Sequence, residues 1–358
     1  MEQRPYIRIL TLNGGGARCW STLVVLEHVM RSVRPGVADP LPCEYFHLIV
    51  GSEWGGIIAI LLGRLRLSIA ACFEKLKELK FPYGCGRRLH RIFPGVSRAR
   101  SRYYRNQFQS WIHDFSPESN GELCFYDSEQ DGSTRHALTL VLATDPTSLA
   151  TPRMFRSYLR GGNFSGPDTD TPIWQVALAA IATPLDLDPV TFAGNAGELG
   201  YTCIAASLAG LSNPSWNSLV EARERFLPNS VHTVLNIGSG GKFESSWPAK
   251  LSHMLPVVRG MALAKMVIGQ VNDAKRTATQ IGVHRQILQE STNSSLYYQY
   301  FSASTVDTSY YDWSEHTREK IQKRTIEYLE GPDISGQVQA VAKKLLRLQD
   351  IPATHDGS

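Results

Sequence analysis

Apolar positions along the chain fall into short runs that alternate with helically spaced stretches. Ile7 to Leu12 (IRILTL) has the length and composition of a buried strand, and beyond a glycine-rich break Leu23, Leu26, Val29, Met30 and Val33 recur at helical spacing. Phe46 to Val50 (FHLIV) predicts a second strand, followed by the tight turn GSEWGG and the helical stretch IIAILL. Two strand–turn–helix units in succession predict parallel neighbours in one sheet. Further strands are expected at Ala137–Ala143, Val231–Ile237 and Tyr297–Ser302, with helices over 173–182, 254–275 and 314–330. The fold class is therefore α/β. No repeat or Pro/Gly/Ser-rich linker divides the chain, which predicts one domain over 1–350, with a C-terminal helical part from about 250 and a flexible tail at 351–358.

Composition narrows the classes. At 42% hydrophobic and 20% charged residues, the 358-residue chain can bury a core and is not a disordered protein. A net charge of +4 is too small for a dedicated nucleic-acid binder. Six cysteines (19, 43, 72, 85, 124, 203) show neither CxxC pairs nor His spacing, so no metal site, disulfide framework or cofactor is called for. The N-terminus has no apolar leader, and the longest apolar run, Ile57 to Gly63, is far short of a membrane span, so a cytoplasmic location is expected. The glycosylation triplets at Asn163 and Asn293 then carry no weight. One local departure from neutrality stands out: Arg87, Arg88, Arg91, Arg98, Arg100, Arg102 and Arg105 occur without an intervening acid. Such a stretch suits a lipid headgroup, an anionic membrane surface or another phosphate, although most charge runs are solvated faces.

Candidate chemistry sits in the two turns. Asn13-Gly14-Gly15-Gly16-Ala17-Arg18 joins the first strand to its helix. A Walker loop would need Gly-Lys-Ser/Thr at its end, and a dinucleotide fingerprint would need glycine where Cys19 stands. An oxyanion hole built from the amides of Gly14, Gly15 and Gly16, and a plain tight turn, both remain open. Gly51-Ser52-Glu53-Trp54-Gly55-Gly56 has the glycine frame of a nucleophile elbow, with Glu53 at the centre in place of serine and Ser52 one position early. A simple glycine-rich turn is the plain alternative.

Together the two turns resemble the patatin-like phospholipase family, whose members carry D-G-G-G-x-R/K-G and then G-T-S-x-G-G. Pro152–Tyr158, Ile173–Thr183, Gly210–Pro214 (GLSNP) and Val234–Gly240 (VLNIGSG) extend the likeness over about residues 5–245. The resemblance implies a three-layer α/β/α fold with a mainly parallel sheet and a Ser–Asp dyad acting on lipid acyl esters. It also implies where that dyad would lie, at Glu53 and at Ala206, eight residues before Pro214; Ile204 to Pro214 contains no acid. Asn13 stands for the leading aspartate of the family loop, Cys19 for a glycine and His47 for an acid often found before the elbow. Retained are Gly14, Gly15, Gly16, Arg18, Gly51, Gly55 and Gly56.

Without hydroxyl nucleophile and base, hydrolysis by the family's route should fail. Two readings follow. In the first, Glu53 is the general acid/base of an isomerase, lyase or cyclase, the glycine amides hold an oxyanion on an acyl, lipid or polyketide-like carbonyl compound, and Trp54 shapes the surroundings. Asp186 and Asp188 are candidate partners, with solvated loop acids as the plain reading. In the second, the chain is a pseudoenzyme that keeps the fold as an acyl-binding or scaffold module. A residual lipid acyl hydrolase is a third. The loss of the acid near Ala206 counts against Glu53 being a lone engineered change of serine. Cys19, at a helix start, and His47, on an apolar strand, read better as core residues than as reactive ones.

Overall fold

The computed structural model describes residues 7–79, 94–128, 137–159, 169–184, 186–194, 200–226, 231–240, 277–283, 296–304 and 312–346. At its centre β1 (Ile7–Leu12) pairs in parallel with β2 (Leu48–Ser52) on one side and β7 (Val231–Ile237) on the other. Parallel pairing continues from β2 to β3 (Leu138–Asp145) and from β7 to β8 (Tyr297–Phe301). Two strands run the other way, β4 (Ser148–Arg156) and β6 (Tyr201–Ala205), each paired antiparallel with β3, while β5 (Val190–Phe192), antiparallel to β6, runs in the direction of the parallel set. The sheet order is β5-β6-β3-β2-β1-β7-β8, with β4 attached to β3.

Strand alternation splits the core in two, because successive side chains leave a strand on opposite faces. Leu10, Leu12, Ile49, Val141 and Leu235 join a large cluster with α1 (Cys19–Val33), α2 (Trp54–Ala59), α3 (Ile69–Lys77), α4 (Pro94–Phe115), α5 (Ile173–Ile181), α7 (Glu315–Leu329) and α8 (Pro332–Leu346). Ile7, Ile9, Leu48, Val50, Leu140 and Val234 face the opposite way, against Ala222 of α6 (Ser215–Phe226) and Ala278 and Ile281. The result is the three-layer α/β/α arrangement. α1 is buried on more than the stripe its periodicity marked, from Cys19 through Leu26, because α7 and α8 cover its outer side. The Thr325 hydroxyl donates to Ser21 Oγ at 2.8 Å across that contact.

The expected strand at 46–50 begins two residues later and runs to Ser52, and the expected helices over 173–182 and 314–330 agree with α5 and α7. The antiparallel strands β4 to β6 were not anticipated. Neither was α4 as a helix: its arginines masked an apolar series, Tyr104, Phe108, Trp111 and Ile112, that has helical spacing and is buried. The expected helix at 254–275, the tail, Cys85, Asn163, Asn293 and Arg87, Arg88 and Arg91 lie outside the described residues.

Candidate active site

Parallel strands of an α/β sheet present their carboxyl ends along one edge, where ligand sites form. β1 and β2 are neighbours there, so their two turns lie side by side. The Asn13 N–H donates to Ile237 O (3.0 Å), carrying the ladder one step past β1. The Gly14 N–H donates to Ser212 O (3.1 Å). Gly16 takes a φ of 62°, available to glycine at no cost, and opens a 3-10 turn. Arg18 holds this loop from within: its backbone N–H and its Nε both donate to Gly15 O, at 3.3 and 3.2 Å. Ser239, just beyond β7, donates to Gly14 O at 2.6 Å and fills the space a β-carbon on Gly15 would need.

The second turn is tighter. A β-carbon on Gly51 would run into the Gly55 backbone, and one on Gly55 into the carbonyls of Leu12 and Asn13. That close approach forces the intervening residue to φ 51° and ψ −126°, and the residue is Glu53. Such a conformation costs a side-chain-bearing residue on the order of 1–3 kcal/mol. The Glu53 carbonyl accepts from Gly56 and Ile57, at 2.9 and 3.3 Å, and starts α2. Its side chain turns onto the first loop: a β-carbon on Gly14 would strike the Glu53 carboxyl, and Glu53 is 6% exposed.

Position 206 belongs to the same corner. β2 ends with Ser52 beside Leu142 of β3, and β6 bonds the next two β3 residues, Ala143 and Thr144. β4 occupies the other edge of β3 over this stretch, so β6 must approach along the β2 edge and meet β2 end to end. Ala205 therefore closes on the elbow, and Ala206, fully buried, opens the segment whose Ser212 binds Gly14. No carboxylate is supplied there.

Below the glycine loop lies a polar network that the sequence did not mark. Asn236 Nδ2 donates to Thr11 Oγ1 (2.7 Å), Asn13 Oδ1 (2.8 Å) and Asn213 Oδ1 (3.3 Å), while Asn213 Nδ2 donates to Asn236 Oδ1 (3.1 Å). Thr11 Oγ1 lies 2.9 Å from Ser215 Oγ, and the Tyr298 hydroxyl donates to Asn236 Oδ1 at 3.4 Å. The network ties β1, β7, β8 and the start of α6 together. Asn13 thus replaces an acid with an amide inside a bonded cluster. The available signal was the pair of segments GLSNP and VLNIGSG, which supply Asn213 and Asn236.

The structure sorts the remaining candidates. Of the three loop amides, Gly14 is committed to Ser212, so the expected hole loses that donor, because residues 206–212 fold back over the loop. Asp186 pairs with Arg100 (3.2 Å), both buried, and Asp188 accepts from Ser97 Oγ (2.6 Å) while its N–H donates to Ser101 Oγ (2.9 Å). Both acids anchor α4. Arg100 correspondingly leaves the basic patch. Trp54 packs on Trp313 and Tyr104, at centroid distances of 4.5 and 5.6 Å, and joins α2 to α4 and the C-terminal part.

Cys19 is fully buried and its thiol is held well above the ordinary range by burial, so it is no nucleophile. His47 accepts the Arg8 N–H through Nδ1 at 3.2 Å, and burial, reinforced by the Arg8 charge, lowers its pKa to about 4. It is a neutral core histidine. Among the described residues no group of three His, Cys, Asp or Glu side chains is placed to hold a metal.

A strained elbow and a glycine loop at adjoining parallel strand ends define the frame of an α/β acyl hydrolase. The chain belongs to the patatin-like phospholipase family, whose sequence profile matches residues 10–204. It is 36% identical over 103 residues to a cGAMP-activated phospholipase of Vibrio cholerae, covering 28% of each chain. It is 23% identical over 170 residues to Phospholipase A I of Arabidopsis thaliana, covering 42% of this chain and 12% of the relative. The matches thus span from about an eighth to about a quarter of those proteins. VipD from Legionella pneumophila aligns with a TM-score of 0.38 at 11% identity, over 94% of this chain and 67% of that one, a likeness too loose to argue from. No helix among the described residues is long and apolar enough to cross a membrane.

Proposed function

We propose that this chain is a single patatin-like domain that binds an acyl or lipid-like carbonyl compound and does not hydrolyse it through a Ser–Asp dyad. One observation carries the reading: the elbow presents a carboxyl group, not a hydroxyl, and that carboxyl lies on Gly14, whose N–H is already bonded. A substrate oxyanion brought to this loop would meet the Glu53 carboxyl where it would lie and one donor fewer, the reverse of transition-state stabilisation. Position 206 adds no base. The five described cysteines carry free thiols, four of them buried, which fits a reducing, cytoplasmic setting.

A second reading has its own observation. The Glu53 carboxyl adjoins the loop to which Gly15 and Gly16 belong, the place a proton-transfer group would hold beside oxyanion donors. Glu53 would then move a proton on the bound carbonyl compound, as an isomerase, lyase or cyclase does.

Titration with a fluorescent fatty-acid analogue separates the two. Removing the carboxyl in Glu53→Ala should tighten binding about tenfold, as expected when a group that fills the space over Gly14 no longer has to be displaced by the ligand. Unchanged or weaker binding in that variant contradicts the first reading. A carbonyl substrate turned over by the native chain and lost in Glu53→Gln establishes the second.

A further inference from the structure

Resting on the reading that the site takes an acyl or lipid-like ligand, we infer that the N-terminal half of α4 docks the protein on an anionic membrane surface, with Arg98 and Arg102 as the charges that meet it. The two lie one helical turn apart, and Arg105 follows at the next. The Arg98 side chain is 80% exposed, and Arg102 and Arg105 are exposed as well. Arg100, between them in sequence, is turned inward onto Asp186, so the helix separates an anchoring arginine from outward ones. Arg105 lies over the Trp174 ring, 4.2 Å from its centroid, which fixes its position on the same flank.

Nearby acids do not cancel this stripe. Asp188 Oδ2 reaches Arg98 Nε only at 4.0 Å, between two solvent-exposed side chains where water screens the pair. Glu122 accepts from Trp174, the ring under Arg105, and from Gln109, so the surface is assigned to Arg98 and Arg102. Around the other half of α4 the balance differs: Glu78 and Asp114 share one cation, Lys75. Arg98 and Arg102 stand in the half that also carries Tyr104, which packs on Trp54 next to Glu53. A surface held by Arg98 and Arg102 would lie at the helix that contacts the elbow. Two or three arginines on one helix, in a chain of net charge +4, suit a flat anionic surface better than the long phosphate track of a nucleic acid.

Co-sedimentation of the full chain with phosphatidylcholine vesicles, with and without phosphatidylserine, tests this. Binding should require phosphatidylserine, weaken as salt is raised, and fall at least about tenfold in Arg98→Glu/Arg102→Glu. Arg223→Glu, an exposed charge reversal on α6 across the sheet, should bind as the native chain does. The double variant must keep the native melting temperature, as expected for exposed side chains. Equal binding to both vesicle types, no effect of the double variant, or an equal loss in Arg223→Glu overturns the inference. So does binding to single-stranded RNA, but not to vesicles, that the double variant abolishes. If vesicle binding fails while the fatty-acid analogue still binds, the ligand reading stands alone; the opposite result removes that reading and leaves the docking surface.

Discussion

The two turns at the centre of the sheet share one plan, strand to glycine turn to helix, and differ in where they put the difficult backbone. After β1 the positive φ falls on Gly16, where no side chain resists it; after β2 it falls on Glu53. The glycines of the second turn stand on either side, at 51 and 55, because both positions meet backbone atoms of the opposing segment. The elbow is thus a frame that holds one side chain in a costly pose, whatever that side chain is. Frame and chemistry are separable: the flanking glycines and the positive φ are in place here with a glutamate at the centre.

The sharpest way to break this comparison is to fill the frame. Gly55→Ala places a methyl group against the Leu12 and Asn13 carbonyls and should cost about 4 kcal/mol or prevent folding, read as the urea midpoint of unfolding. An alanine tolerated at less than about 1 kcal/mol would show that the close approach does not set the elbow's geometry.

A smaller effect belongs to the opposite end of the same two strands, where Arg8 and His47 join them. Above pH 6.5 His47 is neutral in the folded and unfolded chain alike. As pH falls below 6.5 the unfolded chain takes up a proton that the folded histidine, with its pKa lowered to about 4, refuses. Stability should therefore drop between pH 6.5 and 4 and level off below, by up to about 3 kcal/mol from this residue. His47→Gln should flatten that part of the pH profile, and an unchanged profile would assign the loss to other groups.

Smallest is the strain itself. Glu53→Gly should raise the unfolding free energy by about 1 kcal/mol, since glycine adopts φ 51° freely. A destabilised glycine variant would mean that the Glu53 carboxyl holds the corner together more firmly than its backbone pushes it apart.

The parallel centre was legible in the sequence because IRILTL and FHLIV are strongly apolar and each is followed by a glycine turn. β4 to β6 were not, since Ser148–Arg156 mixes proline and arginine into a strand that pairs on only one edge of β3. The same limit applied to the site. Glycines report backbone geometry and could be read directly, whereas the placement of Glu53 on Gly14, the capture of the Gly14 N–H by Ser212, and the pairing of Asp186 with Arg100 join segments far apart in sequence. GLSNP and VLNIGSG marked the segments that supply Asn213 and Asn236, but not their pairing with Thr11 and Asn13 in one buried network.

Hydrolysis of a chromogenic acyl ester, measured side by side for the native chain, Glu53→Ala and Glu53→Ser/Ala206→Asp, bears most directly on the central claim that the frame persists without the dyad. The native chain should show no turnover beyond Glu53→Ala, and the double variant, with hydroxyl and carboxylate returned to adjoining strand ends, should gain it. Turnover by the native chain that Glu53→Ala abolishes would contradict the account, because it would make the present carboxyl, and not a lost serine, the group that hydrolyses the ester.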